Sequence, residues 1–202
     1  MQINILLFPN FEPLDVFGPA EVFHRTPGIQ VNYFSITERE ITTFDSLIVQ
    51  PLDVTKINPN ETLLIPGGIG TRKLVHDQKF IADLKELVHK AKYCLTVCTG
   101  SALLAQTGYL NSRKATSNKL AFEWVSSLNQ QVHWVEKARW VVDANIYSSS
   151  GVSAGIDMAL GFVADKININ EAEKVAKQIE YRWNQDATED EFVLSKSNQK
   201  VK

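Results

Sequence analysis

Five short apolar runs recur along the chain: "INILLF" (3–8), "VNYFSI" (31–36), "TLLIP" (62–66), "YCLTV" (93–97) and "NIYSSS" (145–150). Stretches with helical periodicity lie between several of them and beyond the last, at 14–24, 78–92, 99–107, 119–127, 154–166 and 171–184. Strands that alternate with helices point to an α/β fold, a mostly parallel sheet covered by helices on both faces. The last helix carries its own start signal, Asn170 three residues before Glu173 in a capping-box arrangement. Val175, Ala176, Ile179 and Trp183 then follow at helical spacing as its apolar face. Segment 37–58 reads as short extra strands and turns. With no repeat and no linker, residues 1–185 form one expected domain, and 186–202 a polar, loosely held C-terminal tail.

Composition narrows the partners. A chain of 202 residues with 44% hydrophobic and 22% charged residues can bury one full core. Its net charge of -2, with no long basic run, gives no electrostatic case for nucleic acid or an anionic membrane surface. "MQINILLF" lacks the basic flank and length of a signal peptide, and no apolar segment is long enough to span a bilayer. Cys94 and Cys98, four apart and with no Cys or His nearby, suggest neither a disulfide framework nor a metal site. A reducing cytoplasm is the expected location.

Ligands of such sheets bind outside the carboxyl ends of the strands, and four unusual segments fall there. "PNFEPLDVFGPAEVF" delivers Asp15 into a helix start after the first strand. "GGIGTR", with Gly67, Gly68 and Gly70, follows the "TLLIP" strand and allows a backbone to approach a ligand closely. Cys98 follows "YCLTV", and the turn "GVSAGID" follows "NIYSSS". A thiol at the amino end of a helix faces unpaired N–H groups and the helix dipole, which favour its thiolate. Cys98 is therefore a candidate nucleophile.

Taken singly, each feature has a plainer role. Cys98 fits a buried structural thiol, although its elbow-like setting "VCTGS" argues against that. Cys94 belongs to the core, and Asp15 fits a residue complementing its helix start. The glycine turn lacks both a P-loop ending and a dinucleotide fingerprint. Asp157 reads as a first-turn helix residue, Ser153 as a cap, and Trp124, Trp134, Trp140 and Trp183 as packing residues. Their convergence on one edge is the stronger signal. None of His24, His76, His89 and His133 follows a strand at that edge, so a Cys–His–acid triad is not expected and Asp15 is the remaining titratable partner of Cys98.

The stretches "LDVFGPAEVF", "LLIPGGIGTR", "TVCTGSALLAQTGYLNSRKATS", "SSGVSAGIDMALGFVADKI" and "EAEKVAKQIEYRW" resemble the ThiJ/PfpI family of the class I glutamine amidotransferase-like superfamily. They run in order from residue 14 to 183. The resemblance implies a flavodoxin-like three-layer α/β sandwich, usually a homodimer, with Cys98 as nucleophile on a strained elbow and Asp15 as the acidic partner. It also implies that the backbone N–H groups of Gly68 and Thr99 form an oxyanion-hole-like site. Asp rather than Glu at 15, and "CTG" placing Thr99 after the cysteine, are similar to isonitrile hydratases and to sensor domains of some AraC-type regulators. A regulator would continue into a helix-turn-helix domain, which argues for the enzyme branch. Where relatives often carry His after "AT", this chain has Asn118, a departure that bears on the shape of the pocket.

The expected function is hydration of an isonitrile, a small-molecule substrate, to an N-substituted formamide, with no metal or organic cofactor. Two other readings use the same thiol. One is a hydrolase or glyoxalase-like enzyme acting on small carbonyl compounds, and the other a non-enzymatic redox or stress protein in which Asp15 stabilises an oxidised Cys98.

Overall fold

The computed structural model describes residues 1–37, 39–43 and 46–193. In chain order the elements of its first half are β1 (Gln2–Leu6), α1 (Pro13–Arg25), β2 (Gln30–Ser35), β3 (Ile41–Thr42), β4 (Ile48–Val49), β5 (Leu52–Asp53) and β6 (Thr62–Ile65). There follow α2 (Thr71–Leu74), α3 (Gln78–Lys90), β7 (Tyr93–Thr96), α4 (Gly100–Gln106), β8 (Lys114–Ala115) and α5 (Phe122–Leu128). The chain continues through β9 (His133–Trp134), β10 (Trp140–Asp143), β11 (Ile146–Ser149), α6 (Ala154–Lys166) and α7 (Ile169–Gln178).

The main sheet has seven strands in the order β10-β11-β7-β6-β1-β2-β5. Every pairing is parallel except β10 with β11. All four residues of β6 and of β11 are buried, as expected of strands sandwiched between helical layers. On one side α1, α6 and α7 pack together; α2, α3 and α5 gather around α4. This is the flavodoxin-like α/β architecture expected from the sequence. The register aligns Ile65 with Thr96 and Thr96 with Ser148, so β6, β7 and β11 end side by side.

Two glycines let α6 approach its neighbours. A Cβ on Gly18 would lie 2.9 Å from Ile156 Cγ1, and one on Gly155 would lie 2.8 Å from Val97 Cγ1. Elsewhere local signals decide the boundaries. Asp77 caps α3 by accepting from Phe80 N–H at 3.0 Å, and Phe80, Leu84 and Val88 bury one stripe.

The last helix differs from expectation in register. Asn168, not Asn170, caps α7, its Oδ1 accepting from Glu171 N–H at 2.9 Å. Two Asn-x-x-Glu spacings overlap in "NINEAE", and α7 takes the one whose cap lies two residues after α6 ends. It also stops early. Glu180, at φ 52°, closes it with a Schellman pattern, Glu180 N–H to Lys177 O at 3.2 Å and Tyr181 N–H to Ala176 O at 2.9 Å. Trp183 is therefore off the helix, its Nε1 donating to Asp157 O.

The chain after 185 is not loosely held as far as it is described. Ala187 O accepts from Arg139 N–H at 2.9 Å, and Asp190 is buried 3.5 Å from Lys119 Nζ. A backbone hydrogen bond from Arg139 and a buried ion pair with Lys119 hold it, long-range contacts that its polar composition does not reveal. Residues 194–202 lie outside the described residues. Among the described residues, no helix is long and apolar enough to cross a membrane.

Candidate active site

Cys98 lies between β7 and α4 with φ 55°, a left-handed conformation that costs a non-glycine residue about 1–3 kcal/mol. The surroundings hold it there. Cys98 N–H donates to Ser150 O at 3.1 Å, and the hydroxyls of Ser101 and Ser117 donate to Cys98 O at 3.1 and 2.9 Å. Strand β7 thus ends in a sharp elbow that raises the thiol into a cavity of about 220 Å³. Glu12, Gly68, Ile69, Arg72, Thr99 and Asn118 share that cavity, together with Val152.

Asp15 sits in the first turn of α1, fully buried beneath the cavity wall. Its Oδ2 accepts from Gly67 N–H at 2.8 Å. Its Oδ1 has no conventional hydrogen-bond partner, and the carboxyl meets the side chain of Cys98. Burial, reinforced by the charge of Glu12 and opposed by the Gly67 N–H, pushes this carboxyl from 3.8 up to about 8. At neutral pH it is mostly a neutral acid.

The thiol follows the same physics. Burial and the neighbouring Asp15 push Cys98 up, outweighing the Thr99 N–H and hydroxyl that favour the thiolate. This corrects the expectation of a thiolate stabilised by the helix end. Helix α4 has only seven residues, and burial of the thiol is the largest influence on it. The resting pair is thiol and carboxylic acid.

Gly67, Gly68 and Thr99 form a tight junction. A Cβ on Gly67 would lie 2.6 Å from Thr99 N and 2.8 Å from Asp15 Oδ2, so only glycine leaves room for that contact. Gly68, at φ 126°, would place a Cβ 2.5 Å from Asn10 O. Its N–H donates to Thr99 Oγ1 at 3.1 Å, and Thr71 Oγ1 donates to the same oxygen at 3.1 Å. Thus the Thr99 N–H faces the sulfur, whereas the Gly68 N–H is engaged by the Thr99 hydroxyl.

Asn118, whose Oδ1 accepts from Ala121 N–H at 3.1 Å, presses its amide onto Gly151. Among the described residues, none that lines the cavity is a histidine. Asp157 is a first-turn residue of α6 paired with Arg139 at 2.8 Å, and Ser153 precedes that helix without a side-chain capping bond. Cys94 is fully buried in β7, its thiol pushed up to about 12 by burial. Among the described residues no three His, Cys, Asp or Glu side chains group to hold a metal. Sequence reasoning missed Glu12 and Arg72. Glu12 stood in the proline-punctuated loop and Arg72 in "GGIGTR", but nothing in local pattern marks them as neighbours of the thiol.

The chain's relatives share this arrangement's scaffold. A family model described as the DJ-1/PfpI family matches residues 1–165. An isonitrile hydratase of Pseudomonas putida is 30% identical over 90% of this chain and 78% of its own length. A deglycase of Thermococcus kodakarensis is 29% identical over 74% of this chain and 89% of its own. Among solved structures, a ThiJ/PfpI family protein from Pseudomonas syringae superposes with a TM-score of 0.78 at 28% identity, covering 91% of this chain and 76% of that one.

Proposed function

The chain belongs to the DJ-1/PfpI family, and from that premise we propose that it hydrates isonitriles to N-substituted formamides. The observation that carries this reading is a buried carboxylic acid, kept protonated by desolvation, against a cavity thiol with no histidine beside it. An isonitrile carbon has to gain a proton as sulfur adds to it. Asp15 supplies that proton, and the isonitrile hydratase relative supports the choice of substrate class.

The steps balance as follows. The Cys98 sulfur bonds to the terminal isonitrile carbon, the carbon takes a proton from Asp15, and the thiol proton returns to that carboxyl. This leaves a thioimidate, with a nitrogen–carbon double bond. Water adds to the carbon, its proton passing to nitrogen. The carbon–sulfur bond then breaks as the new hydroxyl loses its proton, which passes to sulfur through the Asp15 carboxyl, releasing the formamide and restoring the thiol. In this reading the Thr99 N–H, which meets the Cys98 sulfur, stabilises charge that develops during the attack, and the Gly68 N–H holds Thr99 through its hydroxyl.

The deglycase relative favours a second reading, attack of the same thiol on a small carbonyl compound. One experiment separates the two. Purified protein is assayed for formamide formation from alkyl and aryl isonitriles, and in parallel against α-oxoaldehydes. Isonitrile turnover is expected, cut by roughly 10²- to 10⁴-fold in Asp15→Asn, the usual contribution of a positioned acid. Turnover of oxoaldehydes alone would replace the hydratase reading. A wild-type rate in Asp15→Asn would move the acid elsewhere.

We also read the protein as a homodimer. Leu14 and Phe17, on α1 beside the site, are 43% and 38% exposed and suit an apolar contact. Light scattering should return twice the 22.7 kDa chain mass. A stable monomer at micromolar concentration would count against this.

A further inference from the structure

We propose that Arg72 selects substrates carrying a carboxylate close to the reacting carbon; this deepens the hydratase reading and rests on Cys98 being the reacting group. Arg72 belongs to α2 and lines the same cavity as Cys98. Its guanidinium carbon lies 3.5 Å from the centroid of the Trp124 ring on α5. Stacking of this kind fixes the plane of the guanidinium and leaves its N–H edge free. No ion pair among the described residues takes up that edge. Arg139, by contrast, is matched to Asp157 at 2.8 Å. A guanidinium that is oriented but unmatched, on the wall of a reactive cavity, is built for an oxyanion from outside, and its fork fits a carboxylate at two points.

The rest of the lining agrees. Ile69 and Val152 are apolar, while Gly68, Thr99 and Asn118 are polar but uncharged. Glu12 is the other charged residue, and its carboxylate raises both Asp15 and Cys98. An anionic substrate would be repelled by Glu12 unless a cation offsets it, and among the described lining residues Arg72 is that cation. At about 220 Å³ the cavity is smaller than drug-sized pockets of roughly 300–1,000 Å³, so the carboxylate has to sit near the reacting carbon.

Two measurements on the full-length protein test this. The first is the rate of alkylation of Cys98 by iodoacetate relative to iodoacetamide, reagents alike in size but not in charge, followed by peptide mass spectrometry. In Arg72→Gln the iodoacetate-to-iodoacetamide ratio should fall roughly tenfold, the loss expected for one charge-assisted contact. Arg72→Lys should recover less than half of the difference, because a lysine keeps the charge and loses the planar fork. The second compares isocyanoacetate with its neutral methyl ester as substrates, where the acid-to-ester ratio of kcat/KM should fall by a similar factor in Arg72→Gln, mainly through KM. Ratios that do not move, or a full recovery by Arg72→Lys, overturn the proposal. Turnover of both isonitriles with unmoved ratios would sink the role of Arg72 and leave the hydratase reading standing. A collapsed alkylation ratio without any isonitrile turnover would do the reverse.

Discussion

Asp15 combines two properties that oppose one another: it is fully buried, and it carries a group that is charged in the unfolded chain at neutral pH. Because its folded-state value is raised from 3.8 to about 8, the folded protein holds a proton that the unfolded chain has released. Stability from this group is complete below about pH 4 and is lost as the pH climbs through about 8. Asp15→Asn removes the ionisation. Its melting temperature should therefore exceed that of the wild type at alkaline pH, and the advantage should vanish near pH 4, as read by thermal melts across that range. Parallel curves at every pH would mean that the carboxyl is not held protonated. The same titration predicts hydration activity falling above about pH 8, where the acid is lost.

At the scale of elements, the site consists of two turns that brace one another. The Cys98 elbow holds its left-handed φ through hydroxyls from α4 and from the segment after β8, and the Gly67–Gly68 turn fills the space beside it. Gly68→Ala tests this brace. Its Cβ would meet backbone atoms of Asn10 and Glu12 at 2.5 Å, at a φ of 126° that L side chains rarely adopt. A loss of roughly 1–3 kcal/mol in denaturant unfolding is expected, with reduced activity because Thr99 loses its N–H partner. A variant as stable and active as the wild type would show that the turn is free to rearrange. Short helices contribute placement here, not dipole: α2 and α4, with four and seven residues, set Arg72 and Thr99 at the cavity.

Across the whole molecule, the C-terminal segment closes the fold. Lys119, next to the cavity residue Asn118, donates to Thr116 Oγ1 and Ala138 O and faces Asp190. Burial lowers its pKa while Asp190 works to raise it. Asp190→Ala leaves a buried ammonium without its counter-ion and should cost roughly 3 kcal/mol, measured by urea unfolding. The double variant Lys119→Met with Asp190→Ala should recover part of that loss, since it removes the unpaired charge. An Asp190→Ala protein as stable as the wild type would mean that the segment contributes no anchorage.

The sequence by itself determined what depends on near neighbours. Apolar runs alternating with amphipathic stretches specify a parallel sheet with helices, since side-chain periodicity is a local property. Asp15, the glycine turn at Gly68 and Cys98 stand out as candidates because each lies where a strand pattern gives way to a turn or helix, whereas Thr99 enters through the family resemblance. Only the tertiary structure decided their chemistry. Whether Cys98 rests as thiolate or thiol depends on desolvation, which is set by what packs around it from distant parts of the chain. The helix end legible in "VCTGS" was outweighed by burial that no window of sequence displays. Arg72 stacked on Trp124, Glu12 across the cavity and Asp190 beneath Lys119 are likewise pairings between separate segments. The choice of Asn168 over Asn170 as a cap has the same origin. Two local signals of equal quality lay two residues apart, and packing of α7 against α6 selected between them.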